Sequence, residues 1–214
     1  MVKKSIFTCF LLLALISTKA FGGGLLGEQY MAFRYQYGEF GDSHDRDTMD
    51  NTKGIALTYN HPVVENIDLG LSAELDWADG KDVVGGTGYD IDFKIGGVIG
   101  YATWIKPINP QTSFFISPQL GFQNASIKVK GADQNRKKDE NDLFIGLDSG
   151  VEYIIDRVTI TQALSISRAD DTRISGKLGL GFNITERLML TAGGQYQLND
   201  DHDYMLTAGF VFRH

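Results

Sequence analysis

Almost the whole chain alternates bulky apolar residues with small or polar ones, position by position. A period of two places successive side chains on opposite faces of an extended strand. The chain is therefore committed to β-structure with one greasy and one polar surface. Met31, Phe33, Tyr35 and Tyr37 alternate with Tyr30, Ala32, Arg34 and Gln36. Ile55, Leu57 and Tyr59 follow the same rule. The clearest run is Ile67, Leu69, Leu71, Ala73, Leu75 and Trp77 against Asp68, Gly70, Ser72, Glu74 and Asp76. A fourth strand sets Ile91, Phe93, Ile95, Ile99 and Tyr101 against Asp92, Lys94, Gly96 and Gly100. Six further sets lie over about 114–122, 143–153, 158–166, 174–182, 188–198 and 204–212.

This makes ten strands of about 9–13 residues, where a tilted membrane strand needs 9–11. An eight-strand count stays open if the breaks near 170 and 200 are not hairpins. The connections alternate in kind. Long or polar ones lie at about 39–51, 79–89, 124–141, 168–173 and 199–203, and short ones near 62–66, 105–111, 155–157 and 185–187. Long loops on one side and tight turns on the other fit a closed antiparallel up-and-down transmembrane β-barrel. With an even count, both termini fall on the turn side.

A soluble lipocalin-type barrel shows the same alternation with its apolar face inward. The chemistry of the polar face separates the two. It is rich in Gly, Ser, Thr and Gln and carries Arg34, Glu74, Lys94, Asp148, Glu152 and Lys177. Those residues suit a crowded interior, and mixed charges at one level suit a paired network filling the lumen. A narrow solute path is the other reading of the same residues. The opposite face is nearly free of charge, as a lipid-facing wall requires, because a charge at mid-bilayer costs about 2–4 kcal/mol. Tyr30, Tyr37, Tyr59, Trp77, Trp104, Tyr153 and Tyr204 sit near strand ends, where interfacial aromatic girdles lie.

The first residues agree. Lys3 and Lys4 precede an apolar run from Ile6 to Ile16 and small or polar residues from Ser17 to Ala20, the pattern of a cleaved signal peptide. Cuts after Ala20 or Gly22 both fit, and the second leaves a flexible Gly23-Gly24 start. We divide the chain into a signal peptide, 1–22, and a barrel domain, 23–214. The only cysteine, Cys9, lies in the leader, so the exported chain holds no disulfide or cysteine metal ligand. Three of the twenty basic residues leave with the leader, against 27 acids, so the remainder carries about −10. That balance argues against nucleic acid as a partner.

The leader, the ten amphipathic strands and the final run from Tyr204 to Phe212 resemble small single-chain outer-membrane proteins, the OmpX/OmpA-like barrels of the porin family. The resemblance covers the whole exported chain and is one of pattern. It implies a monomer in the bacterial outer membrane, in contact with lipid and lipopolysaccharide and inserted by the barrel-assembly machinery. In such proteins the last strand ends on an aromatic residue; here Arg213 and His214 follow Phe212.

Chemistry-bearing clusters are few. Lys128, Lys130, Arg136, Lys137 and Lys138 are the one basic concentration, read as a solvated loop or as a contact for lipopolysaccharide phosphates or another anionic surface. Asp42, Asp45, Asp47 and Asp50 form an acidic loop without the spacing of a Ca²⁺ site. An omptin-type protease uses Asp and His at the barrel rim, where His44-Asp45 and Asp200-Asp201-His202-Asp203 fall. Adjacent loop residues point in different directions; lipid A deacylase barrels need a Ser–His arrangement on the lipid-facing wall, whereas the sequence puts His61 before Pro62 near a short turn. We therefore expect no catalysis, no cofactor and no metal. The expected roles are structural or surface-interacting, with a narrow pore as the alternative.

Overall fold

The computed structural model describes residues 25–39, 51–84, 87–131, 135–169, 172–199 and 203–214. The leader and the acidic loop lie outside them. Ten antiparallel strands form one closed barrel. They are β1 (Tyr30–Glu39), β2 (Thr52–Val64), β3 (Ile67–Val84), β4 (Thr87–Asn109), β5 (Thr112–Gly131), β6 (Asn135–Ile155), β7 (Val158–Arg168), β8 (Thr172–Asn183), β9 (Leu188–Gln197) and β10 (Tyr204–Arg213). Each pairs with its neighbours in sequence, and β1 closes on β10 from Tyr30↔Arg213 to Glu39↔Tyr204. Closure leaves no free strand edge within the apolar belt, the condition for a sheet in lipid. It also settles the count at ten.

The short connections are tight turns. Asn66 and Asp156 take φ values of 65° and 54°, a region that Asn and Asp tolerate better than most residues. These turns, the start of β1 and the end of β10 share one rim, the turn end. At the loop end, two segments read from the sequence as polar loops are paired strand instead. β3 and β4 stay in register to Val84↔Thr87, and β5 and β6 to Lys130↔Asn135. Their polar residues mark strand that has left the apolar belt, not a break in pairing. A four-stranded sheet thus rises above the rest of the barrel.

The outward face is the greasy one. Leu57, Leu71, Leu120, Phe122, Ile145, Leu164, Leu206 and their like are exposed, while Thr58, Ser72, Glu74, Gln119, Asp148, Thr161 and Ser165 are buried in the lumen. This is a solvent-inverted barrel, and the pattern holds on nine strands.

On β4 the assignment reverses. Ile91, Phe93, Ile95 and Ile99 are buried inside, Tyr101 points inward with them, and Lys94, Val98 and Trp104 are exposed outside. Lys94 is therefore not a lumen residue. The reason is that part of the lumen toward the loop end is apolar. There Ala78, Ile91, Phe93, Ile95, Ile99, Ala125, Ile127, Phe144 and Met205 form an apolar cluster inside the barrel. Tyr30 is also no girdle residue. It is 2% exposed and faces the lumen, beside Tyr101. Gly70 makes room for that Tyr101 ring on the neighbouring strand, since a Cβ there would lie 2.0 Å from its Cζ.

Candidate functional site: a filled lumen and a charged sheet

From the turn end upward, the lumen has three layers. The lowest is a seal made by the segment before β1. Leu25 is buried with Tyr30, Ala32, Met189 and Val211. Asp68 holds this segment in place. Its Oδ2 accepts from the Gly27 amide at 2.9 Å and from Asn60 Nδ2 at 3.1 Å, and Asn60 Nδ2 also donates to the Glu28 carbonyl at 2.9 Å. Above it lies a cavity of about 30 Å³, bordered by Tyr30, Tyr101, Gln119 and Asp148. Replacing Asp68 with Ala should leave the Gly27 amide without its acceptor, a loss of about 1–3 kcal/mol. Exchange of that amide with solvent deuterium should then quicken by about five- to 150-fold; an unchanged rate would mean that Asp68 does not hold the segment.

The middle layer is polar. Lys177 Nζ donates to Asp148 Oδ2 at 3.0 Å, and Gln119 Nε2 donates to the same oxygen at 3.0 Å. Arg34 Nη2 donates to Thr58 Oγ1 at 2.8 Å, Thr58 meets Ser72 at 3.1 Å, and Ser72 Oγ donates to Glu74 Oε1 at 3.2 Å. Glu74 and Arg34 are electrostatic neighbours of Lys177. Of the residues singled out from the sequence, the structure thus gathers Arg34, Glu74, Asp148 and Lys177. It places Glu152 in the lumen as well, near Tyr30.

Four charged lumen residues were missed. Asp68 and Asp76 share the parity of Glu74, which was signal enough. Gln36 Nε2 donates to Asp76 Oδ1 at 3.3 Å. Arg173 and Asp203 fell in segments read as loop. Both are buried, 3.9 Å apart, and Arg173 Nη1 also donates to Gln197 at 3.1 Å. The third layer is the apolar cluster around Phe93, Phe144 and Met205.

Above the barrel, the basic group lies on paired strand rather than a loop. Lys128, Lys130 and Lys137 alternate along the outer face of β5 and β6, and Arg136 and Lys138 occupy the opposite parity. Acids interleave with them. Lys130 meets Asp92 at 2.7 Å, Lys137 meets Asp139 at 2.8 Å, and Lys138 pairs with Glu140. The hydrogen bond to Asp92 raises the Lys130 pKa, and that from Lys137 lowers the Asp139 pKa. Lys130 therefore stays charged as pH rises past the ordinary lysine value, and Asp139 as pH falls below the ordinary carboxylate value.

The rim histidine and aspartate pairs read as protease candidates lie outside the described residues, apart from Asp203, which is held inside by Arg173. Among the described residues no group of acids, histidines or cysteines is placed to hold a metal ion.

No family model matches the chain, and no curated protein matches it. Solved structures do. The transport unit of the autotransporter AIDA-I from Escherichia coli superposes with a TM-score of 0.66 at 12% identity, covering 99% of this chain and 97% of that one. The outer membrane protease OmpT from Escherichia coli gives 0.54 at 6% identity, covering 87% and 95%. The attachment invasion locus protein Ail of Yersinia pestis gives 0.46 at 17% identity, covering 86% and 99%. At such identities the likeness is one of fold. The closure, the apolar outer wall and the first two of these neighbours give the chain the fold of a small outer-membrane-type barrel.

Proposed function

We propose that this is an integral protein of the bacterial outer membrane whose barrel is a solid anchor and whose projecting sheet meets the cell's surroundings. The observation that carries the reading is the division of labour along the axis. The lumen holds three successive layers, while β3 to β6 continue past the apolar belt paired with one another as a charged sheet. Strand continued into water is costly to keep unless it is used or protected, and its alternating charges protect it. With the turn end in the periplasm, the sheet stands outside the cell. The partner that fits it is an anionic layer of sugar and phosphate such as lipopolysaccharide, met by Lys128, Lys130, Arg136, Lys137 and Lys138. The barrel itself has no catalytic part in this reading.

Planar-bilayer recording separates this from the narrow pore. The filled barrel is expected to be silent, and discrete conductance steps would replace it with the pore. For the sheet, reversing charge at Lys128 and Lys137 is expected to weaken adsorption to lipopolysaccharide. Unchanged adsorption would remove that partner.

A further inference from the structure

The outward placement of Lys94 creates a row that the sequence did not suggest. Lys53 on β2, Trp77 on β3 and Lys94 on β4 are direct cross-strand neighbours on the outer wall. Tyr37 on β1 continues the row beyond Lys53. Neighbouring strands are about 4.8 Å apart, so the two lysines are rooted about 10 Å from each other with the indole between them. Each member stands where its strand's lipid face ends. On β2 the outward residues run Tyr59, Leu57, Ile55 and then Lys53. On β3 they run Leu71, Ala73, Leu75 and Trp77, and then Asp79; on β4 Trp104, Ala102, Gly100, Val98 and Gly96 precede Lys94. Both lysines are exposed. Among the described residues neither takes part in an ion pair, in contrast to Lys130, Lys137 and Lys138 higher up.

We infer that Lys53, Trp77 and Lys94 form a seat for the phosphate of a lipid headgroup in the outer leaflet. A tryptophan at the belt edge lies among headgroups, with its apolar ring toward the chains and its N–H toward water. Two unpaired ammonium groups beside it present a positive site at the depth of the lipid phosphates. Lysine side chains reach that plane from an apolar wall by extending toward water. The occupant is a lipid rather than free phosphate because the wall below the row, Ile55, Leu57, Leu71 and Leu75, is exposed apolar surface suited to acyl chains. The inference rests on the membrane reading above.

Trp77 and Trp104 are the only tryptophans, so a Trp104→Phe background makes Trp77 the sole reporter. The protein is reconstituted into phosphatidylcholine vesicles in which a minor fraction of lipid carries brominated, quenching chains. That fraction is either phosphatidic acid or phosphatidylcholine. Two lysines at an anionic headgroup, each worth about a fivefold preference, should enrich the brominated phosphatidic acid at Trp77 by about ten- to thirtyfold. The Lys53→Gln/Lys94→Gln pair should reduce quenching to the level of the brominated phosphatidylcholine, while Lys106→Gln at the turn end should not. Heat-dependent gel migration checks that each variant is folded.

Equal quenching by the two lipids, or a preference that survives loss of both lysines, would overturn the inference while leaving the membrane reading intact. A preference abolished by inorganic phosphate but not by chloride of equal ionic strength would also overturn it, in favour of a site for free phosphate. Absence of quenching even in fully brominated phosphatidylcholine would instead contradict the membrane reading.

Discussion

Replacing Asp148 with Ala is expected to cost about 3–5 kcal/mol of unfolding free energy, because it leaves a buried ammonium without its counter-charge. Lys177 and Asp148 are 3.0 Å apart, with side chains only 3% and 8% exposed. Gln119 also loses its acceptor. Removing both charges tells a different story. Asp148→Ala combined with Lys177→Met should recover most of the loss, since an apolar pair in the same volume has no ion to desolvate. Urea unfolding from lipid vesicles measures both. A single-variant loss below about 1 kcal/mol, the range of solvated pairs, would mean that the lumen is wet.

Phe144→Ala is the second large effect. Phe144 is 0% exposed and sits in the apolar layer with Phe93, Ile99 and Met205. Truncation should cost about 3–5 kcal/mol through lost burial and the cavity left behind. The same variant distinguishes a plug from a gate. The polar layer and the Leu25 seal remain beneath it, so bilayer recordings of Phe144→Ala should stay silent. A variant that is destabilised and also conducts would mark the apolar layer as the gate of a pore.

How far the sequence could be read follows from what alternation encodes. Alternation fixes which residues share a face, and turn residues such as Asn66 and Asp156 fix where the chain reverses. Strand number, pairing order and the lumen positions of Arg34, Glu74, Asp148, Glu152 and Lys177 were legible on those grounds. Alternation does not say which face is inward. That choice rested on the polarity of the two faces, and polarity misleads where a barrel's interior is itself apolar. Ile91, Phe93 and Ile95 are more apolar than Asp92, Lys94 and Gly96, yet they are the inner set. The correcting signal was on the same strand. Trp104, taken as an interfacial residue, has opposite parity to Tyr101, so an unbroken strand cannot turn both outward. Arg173 and Asp203 were hidden for another reason: each lies at a strand end, where loop and strand look alike in composition. The Lys53–Trp77–Lys94 row was illegible for a third, since it exists only through register between strands.

A barrel with this greasy outer wall requires acyl chains around it. Spin labels placed singly at Leu71→Cys and Lys128→Cys, in protein starting at residue 23 and reconstituted in vesicles, test this directly. Leu71 is 52% exposed on the outer wall. Its label should collide readily with oxygen, which concentrates in the bilayer, and rarely with a water-soluble nickel complex. The Lys128 label should show the reverse. A Leu71 label reached by nickel, or shielded from both relaxants, would contradict the account.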